Sequence, residues 1–64
     1  MAHMWALEDS KGKQIQIDGR WHRVVSARVH SRTPYTLCLQ LTRLSGGRRY
    51  ILVTRKEARS IEMW

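Results

Sequence analysis

The chain is short of cysteine and of long apolar runs, and each shortage excludes a class of protein. Its single cysteine, Cys38, cannot form an internal disulfide, which excludes the disulfide framework of small secreted domains and favours a reducing, cytoplasmic setting. No apolar run approaches the roughly 18 residues that span a bilayer, and nothing near the N-terminus has the apolar centre of a signal peptide. The sequence therefore predicts a soluble protein with no membrane partner.

The chain also lacks the length for two domains or for a roomy buried active site. Its 64 residues correspond to one small domain, which buries only about 60% of the surface that it exposes when unfolded. Residues 1–12 are interpreted as a leader and lead-in segment, and residues 13–64 as the domain. Met1-Ala2-His3 resembles an expression-vector leader joined to a native start at Met4. Residues 5–12 show no steady periodicity and are not expected to form an element.

The first two predicted strands form a hairpin. Ile15 and Ile17 alternate with polar residues, which is the pattern of a strand with one wet face. Asp18-Gly19, which follows directly, is a strong hairpin signal. The partner strand is predicted over residues 21–30, until Pro34 removes a backbone donor.

The expected turn length decides which side chains of the second strand face the core. With three residues in the turn, Ile17 would lie opposite Trp21, and Trp21 and Val25 would face inward while His22 faced solvent. Val24 would then lie on the outer side, which indicates a bulge or strong bend in this strand.

Strict alternation marks the third strand. One set of side chains points inward and the other outward: Tyr35, Leu37, Leu39 and Leu41 against Thr36, Cys38, Gln40 and Thr42. Ser45-Gly46-Gly47 supplies the positive φ angles of a tight turn, and the returning strand is predicted over residues 49–54.

A helical turn and a last strand complete the prediction. Thr54 and Glu57 have the spacing of a capping box, and a single turn of 3₁₀ character is expected to end near Ser60. Ile61-Glu62-Met63 then alternates as a short fifth strand.

This order of elements resembles an SH3-like barrel. The predicted fold class is all-β, a five-stranded SH3-like barrel with one short 3₁₀ or helical turn before the last strand, because closure leaves no strand edge or apolar face in water. The predicted interior holds Ile15, Ile17, Trp21, Val25, Val29, Leu37, Leu39, Leu41, Ile61 and some of Tyr50, Ile51, Leu52 and Val53.

A narrower resemblance covers the first hairpin. The segment Ile15-Gln16-Ile17-Asp18-Gly19-Arg20-Trp21-His22-Arg23-Val24-Val25 is similar to the opening hairpin of the N-terminal barrel of elongation factor P and of related ribosomal barrels. That family presents a modified lysine on a glycine-rich loop tip. The corresponding tip here, Ser31-Arg32-Thr33-Pro34, has neither lysine nor glycine, so the resemblance implies the fold and not that function.

Charge is the most informative functional feature. Lysine and arginine number 12 against 5 acidic residues, for a net charge of +7, and arginine presents a planar fork suited to phosphate oxygens. We expect binding to DNA or RNA, chiefly through phosphates and with little sequence selectivity. The predicted nucleic-acid-binding residues are Arg43, Arg48, Arg49, Arg55, Lys56 and Arg59 on one side, with Arg32 at the opposite tip. The alternative is that these charges only maintain solubility and protect strand edges.

Aromatic residues add little to this prediction. Trp21 and Tyr50 are expected in the core, and packing is favoured over base stacking for Tyr35. Trp5 and Trp64 are either exposed contacts or a lid over one barrel end. No RNP pattern, KH loop, zinc-finger spacing or recognition helix is present.

Catalysis, cofactors and metals are not expected. His22, His30 and Cys38 lack the paired short spacing of zinc ligands, and Cys38 has no evident base. Asp18 is assigned to the hairpin turn and Glu57 to the capping box, so neither is available as a general base.

A different class of function is also compatible with the sequence. The chain could be a protein-interaction module, such as a phage or mobile-element accessory factor. It would then bind an acidic protein or a second copy of itself through an edge strand. A structural piece of a larger assembly shares the same composition.

Overall fold

The computed structural model describes residues 3–43 and 46–63. In chain order the elements are α1 (Met4–Glu8), β1 (Gln14–Ile17), β2 (Arg20–Arg32), β3 (Tyr35–Arg43), β4 (Arg48–Thr54), α2 (Arg55–Ala58) and β5 (Glu62–Met63). All five strands pair antiparallel in one sheet, in the order β4-β3-β2-β1-β5. The mostly β architecture with a helical turn before the last strand is as predicted.

The sheet does not close into a barrel, which corrects the predicted closure. β4 and β5 are its two edges, and within residues 3–43 and 46–63 no backbone ladder joins them. The sheet is nevertheless curled. In a flat sheet β1 and β4 would lie about 14 Å apart, yet Ile17 of β1 and Ile51 of β4 line one cleft of about 380 Å³.

Helix α2 covers the side that the ladder leaves open. Ala58 of α2 and Ile61, which follows it, are buried in the same core as the strands. The buried apolar cluster draws on β1 to β4, on both helices and on the residue before β5: Leu7, Ile15, Val24, Leu37, Leu39, Leu41, Val53, Ala58 and Ile61.

The turn between β1 and β2 is one residue shorter than expected. Asp18 and Gly19 have φ angles of 53° and 74°, and Ile17 lies opposite Arg20, so the turn contains two residues with positive φ, as in a type I′ hairpin. Moving the register by one residue exchanges the two faces of a strand. The predicted inward position of Trp21 and outward position of His22 are therefore wrong.

Burial in β2 follows the corrected register. His22 is 2% exposed, and its Nδ1 lies 3.1 Å from the carbonyl oxygen of Arg20. Trp21 is half-buried. Val24 is 1% exposed whereas Val25 is half-buried, the reverse of the prediction.

A bulge then restores the inward position of the later residues of β2. Val24 pairs with Leu41 and Ala27 with Leu39, so the register shifts between Val24 and Ser26 and leaves Val25 without a partner on β3. The extra residue keeps Ala27, like Val24, on the core side. The bulge predicted in this strand is confirmed.

The leucines of β3 face the core as predicted, and Leu37, Leu39 and Leu41 are fully buried. Thr36, predicted to point outward, is only 8% exposed, and its hydroxyl donates to the Pro34 carbonyl at 3.0 Å.

β4 corrects another expectation. Because Ile51 lies opposite Leu39 and Val53 opposite Leu37, Tyr50 must point away from the core, where it is 66% exposed. The predicted core position of Tyr50 is wrong.

The N-terminal segment forms a helix where no element was expected. Leu7 of α1 is fully buried, and the hydroxyl of Ser10 donates to the Leu7 carbonyl. The Gly12 amide donates to the Val24 carbonyl at 2.8 Å. These bonds pack α1 onto β2.

Two other predicted turns lie at Thr54 and at Pro34. Thr54 Oγ1 accepts from the Glu57 amide at 3.5 Å and donates to its carboxylate at 2.9 Å, which confirms the capping pair, and the turn that it caps is α-helical. The chain reverses at Thr33-Pro34, whose peptide bond is cis. Ser45 and Trp64, for which a turn and a contact were predicted, lie outside the described residues.

Candidate nucleic-acid interface

Charges of opposite sign occupy different parts of the fold. Strands β2, β3 and β4 carry seven of the arginines and contain no aspartate or glutamate. All acidic residues lie in other segments: Glu8, Asp9, Asp18, Glu57 and Glu62. A surface with cations and no carboxylates attracts polyanions over several ångströms.

The side of these strands that faces away from the core is here called the outer face. Residues directly opposite each other on neighbouring strands share a face, and the register therefore gives three rows across β2, β3 and β4. The rows are Arg23, Thr42 and Arg48; Ser26, Gln40 and Tyr50; and Arg28, Cys38 and Leu52. Arginines thus flank an uncharged centre.

The centre of the outer face contains a shallow depression. It has a volume of about 160 Å³ and is lined by Ser26, Arg28, Cys38, Gln40 and Tyr50. The Ser26 hydroxyl donates to Gln40 Oε1 at 3.3 Å, so these two side chains partly satisfy each other. Tyr50 on β4 and Arg28 on β2 lie on opposite sides of β3.

The predicted cations near the β3–β4 turn gather at one end of the sheet but not on one face. Arg48 lies on the outer face, whereas Arg49 is half-buried on the inner side, opposite Leu41. Arg43 is exposed at the end of β3, opposite His22. We call Arg43, Arg48 and Arg49 the loop-end group.

The other predicted cations form a second group at the far end of β4. Arg55, Lys56 and Arg59 are exposed on and after α2, about 20 Å along the strand from Arg48. Arg32 belongs with them, since Arg32 and Arg55 both act on the Tyr35 hydroxyl. The predicted arrangement, with Arg32 opposite all the others, is therefore replaced by two groups.

A cleft beside the second group differs from the outer face because it contains a carboxylate. It measures about 380 Å³, and its lining includes Trp5, Glu8, Tyr35, Arg55 and Arg59. Tyr35 donates its phenolic hydrogen to Glu8 Oε2 at 2.8 Å. This hydrogen bond, aided by desolvation and the Glu8 charge, raises the pKa of Tyr35 against the opposing effect of Arg32 and Arg55.

Sequence reasoning missed three residues of the outer face. Arg23 and Arg28 were two of many basic strand residues, and Tyr50 stands in the unbroken apolar run Tyr50-Ile51-Leu52-Val53. Alternation cannot be read from such a run. The preceding charges do not decide it either, because Arg48 and Arg49 stand two positions before Tyr50 and Ile51 and would place both side chains on the outer face.

Nothing in the described segments resembles a metal centre or a membrane span. Residues 3–43 and 46–63 contain no group of three or more histidine, cysteine, aspartate or glutamate side chains placed to hold a metal ion. None of the helices in that part of the chain is long and apolar enough to cross a bilayer.

Comparison with known proteins adds no relative. No protein-family model matches the chain, and no curated protein or solved structure matches it.

Proposed function

We propose that this chain is a small non-enzymatic domain that binds nucleic acid, mainly through contacts between arginines and phosphates. The observation that carries the proposal is the separation of charge, with seven arginines and no carboxylate on β2, β3 and β4. Charges that served only solubility would be interspersed with the opposite sign. Arg28 and Arg48 of the outer face are the principal contacts, and the exposed Arg43 extends the cationic surface at the loop end, whereas Arg49 is half-buried on the inner side.

The second group of cations extends the same path. Arg32, Arg55, Lys56 and Arg59 lie beyond the opposite end of β4, about 20 Å from the loop-end group. Backbone phosphates repeat along any nucleic acid, so one strand can contact both groups. Glu8 and Glu57 stand among these cations. The second group therefore contributes less to affinity than the outer face does.

The architecture proposed for this function is an open relative of the SH3-like barrel. The strand order β4-β3-β2-β1-β5 and the helical turn between β4 and β5 support it. The opening lies on the side covered by α2, so it leaves the outer face of β2, β3 and β4 free for a ligand.

A pair of matched double variants tests the function. Arg28→Gln with Arg48→Gln removes two charges from the outer face, whereas Lys11→Gln with Lys13→Gln removes two exposed charges from outside β2, β3 and β4. We expect the arginine pair to weaken binding of labelled DNA or RNA, measured by fluorescence anisotropy at about 50 mM salt, on the order of ten- to hundredfold. The lysine pair should have a much smaller effect.

Two results would contradict the proposal. One is the absence of any association with DNA or RNA by the unsubstituted protein at this low salt. The other is an equal loss in the two double variants, since net charge alone would then explain binding.

A second candidate function rests on the free edge of the sheet. Within residues 3–43 and 46–63, β4 pairs only with β3, so the backbone groups along its other edge can pair with an added strand from an acidic protein or a second copy. Sedimentation velocity distinguishes the two functions. A concentration-dependent dimer that persists in the Arg28→Gln, Arg48→Gln protein would favour protein interaction.

A further inference from the structure

The outer face combines features that phosphate binding alone does not require. Tyr50 and Leu52 are 66% and 51% exposed, and they stand two residues apart on the same side of β4, about 7 Å from each other. Single exposed apolar residues are common on protein surfaces. An exposed aromatic ring beside a second large apolar side chain, with arginines on both flanks, is a more specific arrangement.

We infer that the outer face receives the unpaired bases of single-stranded nucleic acid, with Tyr50 as the stacking platform. This inference rests on the proposed function and narrows its ligand class. Every base has a π face, so stacking on tyrosine tolerates any sequence. In a duplex the bases are already stacked on each other, and an exposed tyrosine on a sheet gains nothing from them.

The depression beside Tyr50 supports this assignment by its lining. It has a volume of about 160 Å³. The Arg28 guanidinium, on the other side of β3 from Tyr50, can stack on a ring or bind a phosphate. Ser26 and Gln40 also line the depression and offer a hydroxyl and an amide for the polar edge of a base.

Charge complementarity favours a ligand with regularly spaced negative charges. No carboxylate stands on β2, β3 or β4, and Arg23, Arg28 and Arg48 bracket the uncharged centre. A ligand that suits this face combines negative charges, for the arginines, with flat apolar groups, for Tyr50. A single-stranded nucleic acid has this composition throughout its length.

The test compares Tyr50→Ala with Tyr50→Phe on two ligands. The ligands are a fluorescein-labelled oligothymidylate and a labelled duplex of the same length, measured by anisotropy at one salt concentration. Tyr50→Ala should weaken single-strand binding by about 5- to 150-fold. Tyr50→Phe keeps the ring and should bind like the unsubstituted protein, and duplex binding should not change in either variant. Because Tyr50 is mostly exposed, both variants should remain folded at the assay temperature, and only Tyr50→Ala should lower the melting temperature, through its weaker β propensity.

Three outcomes would overturn the inference, and they also show whether the proposed function fails with it. Unchanged single-strand affinity in Tyr50→Ala, or an equal loss on duplex, would remove the stacking role while salt-dependent binding remained. Loss of self-association without loss of single-strand affinity would assign the face to a second copy of the chain. Absence of binding by the unsubstituted protein to both ligands would contradict the proposed function itself.

Discussion

At the scale of single residues, the two tyrosines of the chain have opposite surroundings. Tyr35 is half-buried beside the core, and its hydroxyl donates to Glu8. Tyr50 is mostly exposed among uncharged and cationic neighbours. The first therefore connects α1 to the sheet, whereas the second is free to meet a ligand.

The bond between Tyr35 and Glu8 makes stability depend on alkaline pH. A phenol can donate this bond only while protonated, so folding raises the pKa of Tyr35 above its unfolded value of about 10. The stabilisation is fully present below about pH 10 and is lost as pH rises through the higher folded value. We expect the free energy of unfolding to fall more steeply between about pH 9 and 11 in the native protein than in Tyr35→Phe.

Urea unfolding of both proteins across this range measures the difference. Tyr35→Phe also controls for the other groups that titrate in this pH range, because it retains all three lysines. Parallel pH profiles for the two proteins would show that folding does not raise the pKa of Tyr35, and would contradict this account of the bond to Glu8.

The position of Tyr35 could be predicted from the sequence and that of Tyr50 could not, for a physical reason. Tyr35 continues the alternating series of Leu37 and Leu39, and its place on the core side could be predicted from that pattern. Tyr50 lies in a run of four apolar residues, where both faces look alike. Its exposure is decided by the register of β4 against β3, which is a tertiary property.

At the scale of elements, β2 shows how one residue in a turn redistributes a whole strand. The hairpin at Asp18-Gly19 could be predicted from the sequence, but its length could not, since two- and three-residue turns both accept this dipeptide. The shorter turn buries His22 and Val24 instead of Trp21 and Val25. The bulge after Val24 then returns Ala27 to the core side.

Two alanine substitutions test this account of β2. Val24→Ala removes methyl groups that are almost completely buried and should lower the free energy of unfolding by about 1.5 to 3 kcal/mol. Val25→Ala should cost less than half as much, because Val25 is only half-buried at the bulge. The two sites differ in strand pairing as well as in burial, because Val25 has no partner on β3, so their difference in chemical denaturation reports both effects together. A larger cost at Val25 would mean that the three-residue turn is correct.

At the scale of the whole molecule, part of the strand order could be predicted and closure could not. The order β4-β3-β2-β1 follows from turns between consecutive strands, whereas the pairing of β5 with β1 joins elements from opposite ends of the chain. Closure depends on how far the sheet curls and on the length of the last strand, and β5 contains only two residues. The helical turn covers the remaining side of the core through Ala58.

The candidate interface also emerges only at this scale. The count of basic residues indicates a polyanion partner, but the sequence does not show which arginines share a face. Because β2 is bulged, Arg28 shares the outer face with Cys38 and Leu52, in the row next to that of Tyr50. In a strand without the bulge, Arg28 would point to the core side. The loop-end group, in contrast, is divided between the two faces.

The most direct test of the central claim is the salt dependence of single-strand affinity. Each phosphate contact lowers the slope of log association constant against log salt concentration by about 0.7. With three to five such contacts we expect a slope of roughly −2 to −3.5 between about 50 and 200 mM salt. A slope near zero would show that binding does not depend on the arginines of β2, β3 and β4, and would contradict the account.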